Sequence, residues 1–218
     1  MEINDKNTYK ILLDENWSLE DLTEFLTLYF QNYSFIYCLE TTESKYIPLR
    51  VAEILHDYEL REGLSYVNIY EVFKRVIPSV DKPKIKSMKY NSPGWFELAL
   101  DIKTALALAG AISIFLKSAT EVTTVYKKLY KIYSDLSKLR AKNKNDLLKL
   151  DIERAKLANE LNKELAKGLD FENLKQLESQ TKDVEETSKF LMAHYRRLLK
   201  LSNFVRKGKA SFPLDNEN

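Results

Sequence analysis

Residues 174–205 read LKQLESQTKDVEETSKFLMAHYRRLLKLSNFV, and apolar or small side chains recur in them at alternating steps of three and four. A heptad pattern of this kind keeps one stripe of a helix turned toward a partner helix. It therefore predicts a coiled-coil or helical-bundle region in which helices associate. The predicted oligomer seam consists of Leu174, Leu177, Val184, Leu191, Tyr195, Leu198 and Val205, with the polar residues Thr181, Ser188 and Ser202 between them.

The composition of the 218-residue chain favours long helices. Glycine and proline occur five times each, and charged residues make up 30% of the sequence. This profile argues against an all-β fold with many turns and against a disordered chain. The net charge of +2 hides an asymmetry, because residues 1–60 hold twelve acidic and four basic residues. The asymmetry indicates either a solvated surface with uneven charge, or two regions that attract each other or have different partners, with a protein partner at the acidic N-terminal part.

Apolar runs and turn signals alternate over residues 1–92 and predict a small α+β docking domain. Ser18 and Asp21 form a capping box that begins an amphipathic helix over residues 19–31. The aromatic residues 33–39 favour a strand over a continuation of that helix. The other predicted elements are strands at residues 9–13 and 84–90, a helix that begins at Pro48 and ends at Gly63, and a helix at residues 67–76.

The segment Asn91-Ser92-Pro93-Gly94 is the clearest boundary signal in the chain. Proline disfavours helical backbone in the preceding residue, so we place a domain junction here. Residues 93–207 are predicted to be a mainly α-helical coiled-coil or bundle region that begins with an apolar helix at 95–117. Breaks are expected at residues 143–145, where the apolar stripe shifts by one residue, and at residues 168–170. Residues 208–218 are predicted to form a disordered tail.

Residues 90–98, YNSPGWFEL, place a Tyr-x-Ser-Pro-Gly junction before the apolar helix and the charged coiled-coil region. In this layout the chain resembles a group of uncharacterised bacterial proteins with a small N-terminal α+β unit. The resemblance implies a domain boundary at the junction and a bacterial protein. It implies no activity and no functional residue, because none is known for that group.

Residues 104–116, TALALAGAISIFL, contain no charged side chain. A helix of this length extends about 20 Å, whereas the hydrocarbon core of a bilayer is about 30 Å thick. Extension back to Trp95 would bring Glu97, Asp101 and Lys103 into the bilayer. We therefore expect a helix that is buried on all sides. The alternative is a segment that enters or lies on a membrane after release.

Basic residues concentrate in residues 117–144, where tyrosines lie among them, and in residues 194–209. Such side chains bind the phosphates of nucleic acids or anionic lipid head groups. The plainer interpretation is a solvated helix face, with the last arginines placed favourably for the helix dipole. The predicted contacts for an anionic partner are Lys127, Lys128, Lys131, Arg140, Arg196, Arg197, Arg206 and Lys207.

No residue pattern points to catalysis or to a cofactor. The chain has one cysteine, Cys38, and two histidines, His56 and His194, which do not supply a zinc site of the usual kind. We predict no catalytic, cofactor-binding or metal-binding residue. The lone cysteine and the polar, acidic start of the chain predict a location in the cytoplasm or at the periphery of the inner membrane.

These patterns predict a non-enzymatic, homo-oligomeric interaction or scaffold protein that assembles through long amphipathic helices. Two alternatives stay open: a membrane-active bacterial effector of the defence or toxin type that uses residues 104–116, and a nucleic-acid-binding accessory protein. The seam also has an alternative use, because helices at residues 145–167 and 170–206 could fold back on each other. The seam would then be consumed within one chain, and oligomerisation would not be required.

Overall fold

The computed structural model describes residues 8–41, 67–117, 124, 127–132, 134–135, 138, 147–169, 171–181 and 183–214. In these residues the chain is mixed α+β, with helices predominating over one four-stranded antiparallel sheet. The helix predicted from Pro48 and the break predicted at residues 143–145 lie outside the described residues.

The strands are β1 (Thr8–Leu13), β2 (Lys84–Lys89), β3 (Gly94–Ala99) and β4 (Ala210–Ser211), and they lie in the order β2-β3-β1-β4. The helices are α1 (Leu19–Ile36), α2 (Val67–Val76), α3 (Ile102–Lys117), α4 (Leu147–Leu169), α5 (Leu174–Gln180) and α6 (Val184–Arg206). A π-helical turn, Tyr37–Thr41, follows α1 directly.

Strand β1 is at the centre of the sheet, between β3 and β4. Its side chains alternate, because Tyr9, Ile11 and Leu13 are buried while Lys10 and Leu12 are exposed. A period of two turns every second side chain toward the core, and this burial confirms the strand predicted at residues 9–13. The strand predicted at residues 84–90 is confirmed as β2, at the edge of the sheet.

The helix predicted from residue 95 was wrong for residues 95–99, which form strand β3. Phe96 and Leu98 are buried, and Trp95 and Glu97 between them are partly exposed. This alternation fits a strand, and β3 pairs along its whole length with β1, from Gly94 opposite Leu13 to Ala99 opposite Thr8. The sheet therefore contains strands from both sides of the predicted junction.

The prediction of a disordered tail was wrong for residues 210–211, which form β4 beside Leu12 and Leu13. The hydroxyl of Tyr9 donates a hydrogen bond to the backbone oxygen of Pro213 at 2.8 Å. Phe212 lies 6.2 Å from the ring of Tyr29 and parallel to it. These contacts with β1 and α1 hold the end of the described chain in place.

The strand predicted at residues 33–39 was wrong, because α1 continues to Ile36 and the π-helical turn follows it. The predicted start was right, since the Ser18 hydroxyl accepts the Asp21 backbone N–H at 3.0 Å. Phe25, Tyr29, Tyr33 and Tyr37 recur every four residues, and their successive rings lie 6.1 to 6.5 Å apart. This spacing stacks the rings along one helix face, and it outweighs the strand propensity of the aromatic run.

The heptad stretch is not one helix, because α5 ends at Gln180 and α6 begins at Val184. Thr181 has extended backbone, and the Asp183 carboxylate caps α6 by accepting the Glu186 backbone N–H at 2.9 Å. Local capping therefore interrupts a pattern that reads as continuous in the sequence.

The seam of α6 is buried inside the chain. Leu191, Tyr195 and Leu198 are fully buried, and α6 packs against α4, α1 and α3. Between α4 and α6, the Ser188 hydroxyl donates to the side-chain oxygen of Asn162 at 2.6 Å. Of the other seam members, Leu177 is buried and Leu174, Val184 and Val205 are partly exposed. Within the described residues the seam follows the fold-back alternative.

Helix α3 includes the uncharged residues 104–116, and its most buried side chains lie on one face. Ala105, Leu108, Ile112 and Phe115 are buried, and Phe115 contacts Tyr195 of α6 with ring centres 5.3 Å apart. The expected burial on all sides was wrong, since Ile114 is 41% exposed. Among the helices of the described segments, none combines the length and the apolar character needed to cross a membrane.

Candidate interaction surface

The structure separates the residues predicted to contact an anionic partner into two groups. Arg196 and Arg197 are half-buried in the middle of α6, whereas Arg140 lies outside the described residues. The exposed members are Lys127, Lys128, Lys131, Arg206 and Lys207.

The two half-buried arginines contact neighbouring helices. The guanidinium of Arg197 lies 3.9 Å from the centre of the Tyr70 ring, and its Nε donates to Oε1 of Gln31 at 2.8 Å. Nε of Arg196 donates to the backbone oxygen of Met192 at 3.3 Å. Arg197 therefore connects α6 to both α1 and α2 through cation–π and hydrogen-bond contacts.

The buried titratable groups of the core are neutral near pH 7. The His194 ring is stacked on Phe35 at 3.8 Å, and burial, followed by the charge of Arg197, lowers the pKa of His194 to about 3. Burial raises the pKa of the Cys38 thiol to about 12. Across the described ranges, no group of three or more His, Cys, Asp or Glu side chains is arranged to hold a metal ion.

A different surface stands out at the edge of the sheet, where β2 pairs with β3 on one side only. In the part of the chain that the structure describes, no strand pairs with the other side of β2. Such an edge leaves backbone N–H and C=O groups open to pairing with another chain. The register is irregular between Ile85 and Ser87, which marks a bulge in the strand.

Exposed apolar side chains gather at this edge, and we call Leu19, Ile85, Met88 and Tyr90 the β2 patch. The register places Ile85 opposite the buried Leu98 and Met88 opposite the buried Phe96, on the core side of the sheet. Yet Ile85 and Met88 are each 51% exposed, because the core does not cover β2. Leu19 is 81% exposed and Tyr90 is 61% exposed.

A small cavity of about 150 Å³ opens within the β2 patch. It lies between the first turn of α1 and the β2–β3 hairpin, and most of its walls are apolar. Its lining residues are Leu13, Trp17, Ser18, Leu19, Leu22, Met88, Lys89, Tyr90 and Phe96. A dry cavity of similar volume accommodates a benzene ring in other proteins, so this one has room for one apolar side chain.

The wall of the cavity is held by contacts around Trp17. Its ring is stacked 5.5 Å from Phe204 and lies edge-on to Phe25, and its Nε1 donates to the backbone oxygen of Asp14 at 3.0 Å. The Ser92 hydroxyl donates to the Asp14 carboxylate and is the main cause that lowers the pKa of Asp14. This bond joins the hairpin turn to the loop before α1, so both sides of the cavity are connected.

Lysines lie on the opposite face of β2. The register places Lys84 opposite Ala99 and Lys89 opposite Trp95, on the solvent side of the sheet. Lys86 lies 3.5 Å from Glu97, whose pKa is lowered chiefly by the Ser87 hydroxyl, a hydrogen bond of 2.6 Å. Edge strand β2 therefore has an apolar face and a basic face.

No known protein family, curated protein or solved structure matches this chain. The bacterial resemblance of residues 90–98 therefore stays a resemblance of layout.

Sequence reasoning missed the β2 patch, although two signals for it were present. Ile85 and Met88 are apolar positions in the strand predicted at residues 84–90, each with a lysine as a direct neighbour. Leu19 directly follows the N-cap Ser18, at a position that the first helical turn exposes.

Proposed function

We propose that this chain is a protein-interaction module that binds a partner protein at the β2 patch. The observation that carries this proposal is the concentration of exposed apolar side chains around a cavity, beside a strand edge with which no other described strand pairs. Exposed apolar groups that cluster mark binding surfaces, whereas single exposed ones are ordinary. The α6 seam supports binding between chains less well, because its central residues already contact other helices of the same chain.

The experiment is a selection of displayed random peptides on the purified full chain. Two variants accompany it: Met88→Ser inside the β2 patch, and Ile152→Ser on α4, which removes a side chain that is 56% exposed. Both changes remove a similarly exposed apolar side chain, so they are matched. Selected peptides should bind the Met88→Ser chain about tenfold more weakly and the Ile152→Ser chain unchanged. Equal binding to all three chains, or no enrichment of any peptide, contradicts the proposal.

A second candidate is binding of a nucleic acid on the solvent face of the sheet. Trp95 is partly exposed there, and Nζ of Lys10 lies 6.0 Å from the centre of its ring. An aromatic ring beside lysines can stack a base and contact the backbone of a single strand. A gel shift with single-stranded DNA that weakens with salt and with Trp95→Ala would support this function, and no shift at low salt would exclude it.

Membrane binding through residues 104–116 draws less support. A helix that lies on a membrane needs its apolar face free for lipid. The buried face of α3 packs instead against α1 and α6. Release of α3 would therefore expose part of the core.

A further inference from the structure

We infer that the partner segment binds in extended form, adds a strand to the free edge of β2, and alternates apolar with acidic side chains. This inference rests on the proposed function, since it names the chemistry of the partner at the same β2 patch. Three features carry it: the open edge, the apolar face with its cavity, and the basic face on the other side of the same strand.

The open edge favours an extended partner. The peptide groups of β2 that do not pair with β3 point outward, and an added strand would satisfy them with main-chain hydrogen bonds. Within the described residues the sheet is antiparallel throughout and has four strands, so a further strand at β2 extends it without rearrangement. In a strand, neighbouring side chains point to opposite faces, so a bound segment would present one set to each face of β2.

The apolar face and the basic face of β2 determine which side chains the partner segment should carry. On the core side, the added strand would lie beside Ile85 and Met88, and one of its side chains could fill the cavity next to Tyr90. On the solvent side, it would lie beside Lys84 and Lys89, which form no ion pair with the other described residues. Acidic side chains complement those lysines directly across the strand pair.

The same lysines argue against a second copy of the chain as the occupant. Two β2 edges placed side by side would bring together Lys84, Lys86 and Lys89 from each copy. Like charges that face each other across strands are destabilising, and edge lysines protect natural sheets in this way. This repulsion opposes pairing of two β2 edges, and the charge of the basic face favours an acidic segment of another protein as the occupant that we propose.

The test uses a fluorescent, end-capped peptide that alternates valine with glutamate and has one central leucine, titrated into the full chain by fluorescence anisotropy. Two further peptides carry N-methyl groups on alternate backbone amides, one on the odd set and one on the even set. Only one set faces β2 in a strand pair, so only one methylated peptide should bind about tenfold or more weakly. A peptide with lysine at every glutamate position should not bind the native chain. It should bind the double variant Lys84→Glu, Lys89→Glu.

The outcomes separate this inference from the proposed function. If both methylated peptides bind like the parent peptide, or if the acidic peptide does not bind, strand addition by an acidic segment is wrong. The proposed function would then still be tested by whether Met88→Ser weakens the binding of the peptides from the random selection. If the acidic peptide binds the native chain and the Met88→Ser chain equally, the site is elsewhere, and the inference and the assignment of the β2 patch both fail.

Discussion

Replacement of Leu198 by alanine tests whether the heptad seam works inside one chain. Leu198 is fully buried in α6, among residues that contact α1, α3 and α4. Truncation of a buried leucine removes packing and leaves a cavity, at a cost of roughly 2–5 kcal/mol. We expect a loss of about 3 kcal/mol in the free energy of unfolding. In a chain of this size that loss lowers Tm by about 6–12 °C.

The effect of dilution on stability must be compared with the loss of unfolding free energy caused by Leu198→Ala. If the seam joined two chains, hundredfold dilution would lower the stability of the folded dimer by about 2.7 kcal/mol, from RT ln 100. Counted per chain, dilution would then cost about 1.4 kcal/mol, roughly half the effect of Leu198→Ala. In a seam used within one chain, dilution has no effect, while Leu198→Ala keeps its full effect. We therefore expect Tm to fall with the substitution and to stay constant with concentration.

The assay is thermal unfolding followed by circular dichroism at two concentrations, with sedimentation velocity at both. Leu174→Ala is the matched control, because Leu174 belongs to the same heptad pattern but is only partly buried, in α5. It should lower Tm by less than half as much. A Tm of the native chain that drops by several degrees on dilution would refute the reasoning. So would a Leu198→Ala chain that changes its mass in solution and keeps its Tm.

Three further perturbations test other parts of the fold. His194 has a pKa of about 3 in the folded chain and about 6.5 in the unfolded chain. Between these two values only the unfolded chain binds the proton. The free energy of unfolding therefore falls as the pH falls, by about 1.4 kcal/mol per pH unit. In denaturant titrations His194→Gln should flatten this slope, and an unchanged slope contradicts the burial. Phe212→Ala should lower the free energy of unfolding by about 2 kcal/mol, measured in urea, because a partly buried ring leaves the stack with Tyr29; a disordered tail would give no change. A fragment of residues 1–92 should show no cooperative unfolding transition by circular dichroism, since β1 loses both neighbouring strands; a sharp transition would mean that this part folds alone.

Local sequence patterns correctly predicted those helices and strands whose type does not depend on contacts with distant residues. The apolar run of residues 9–13, the Ser18 cap and the apolar stripe of α6 are each recognisable within a single segment. The strand at residues 94–99 did not, because its short alternating stretch is followed at once by the apolar run of α3. What makes it a strand is its pairing with β1, whose residues lie more than 80 positions earlier, and local spacing contains no information on such a partner.

The same limit explains why the sequence left open whether the seam joins helices of two chains or of one. A heptad stripe indicates that a helix packs against an apolar neighbour, but it does not indicate whether that neighbour belongs to the same chain or to another. Asn162 and Ser188, whose side chains meet between α4 and α6, lie 26 residues apart in sequence. Helix α5 lies between α4 and α6 in the chain, and the stripe of α6 alone does not indicate that α4 is its neighbour.

The strongest hydrophobic pattern in this chain therefore marks its core, and the weaker one marks the surface that we propose for binding. Periodic apolar positions are the ones that packing within a chain can satisfy completely, as in α6. The β2 patch has no long period, because its members come from the first turn of α1, from an edge strand and from the residue after it. Lysines on the other face of β2 would oppose pairing of this edge with its own copies and would favour the acidic partner that we propose. An apolar surface that is exposed, irregular in sequence and guarded by charge is better explained by recognition of a partner than by incomplete folding.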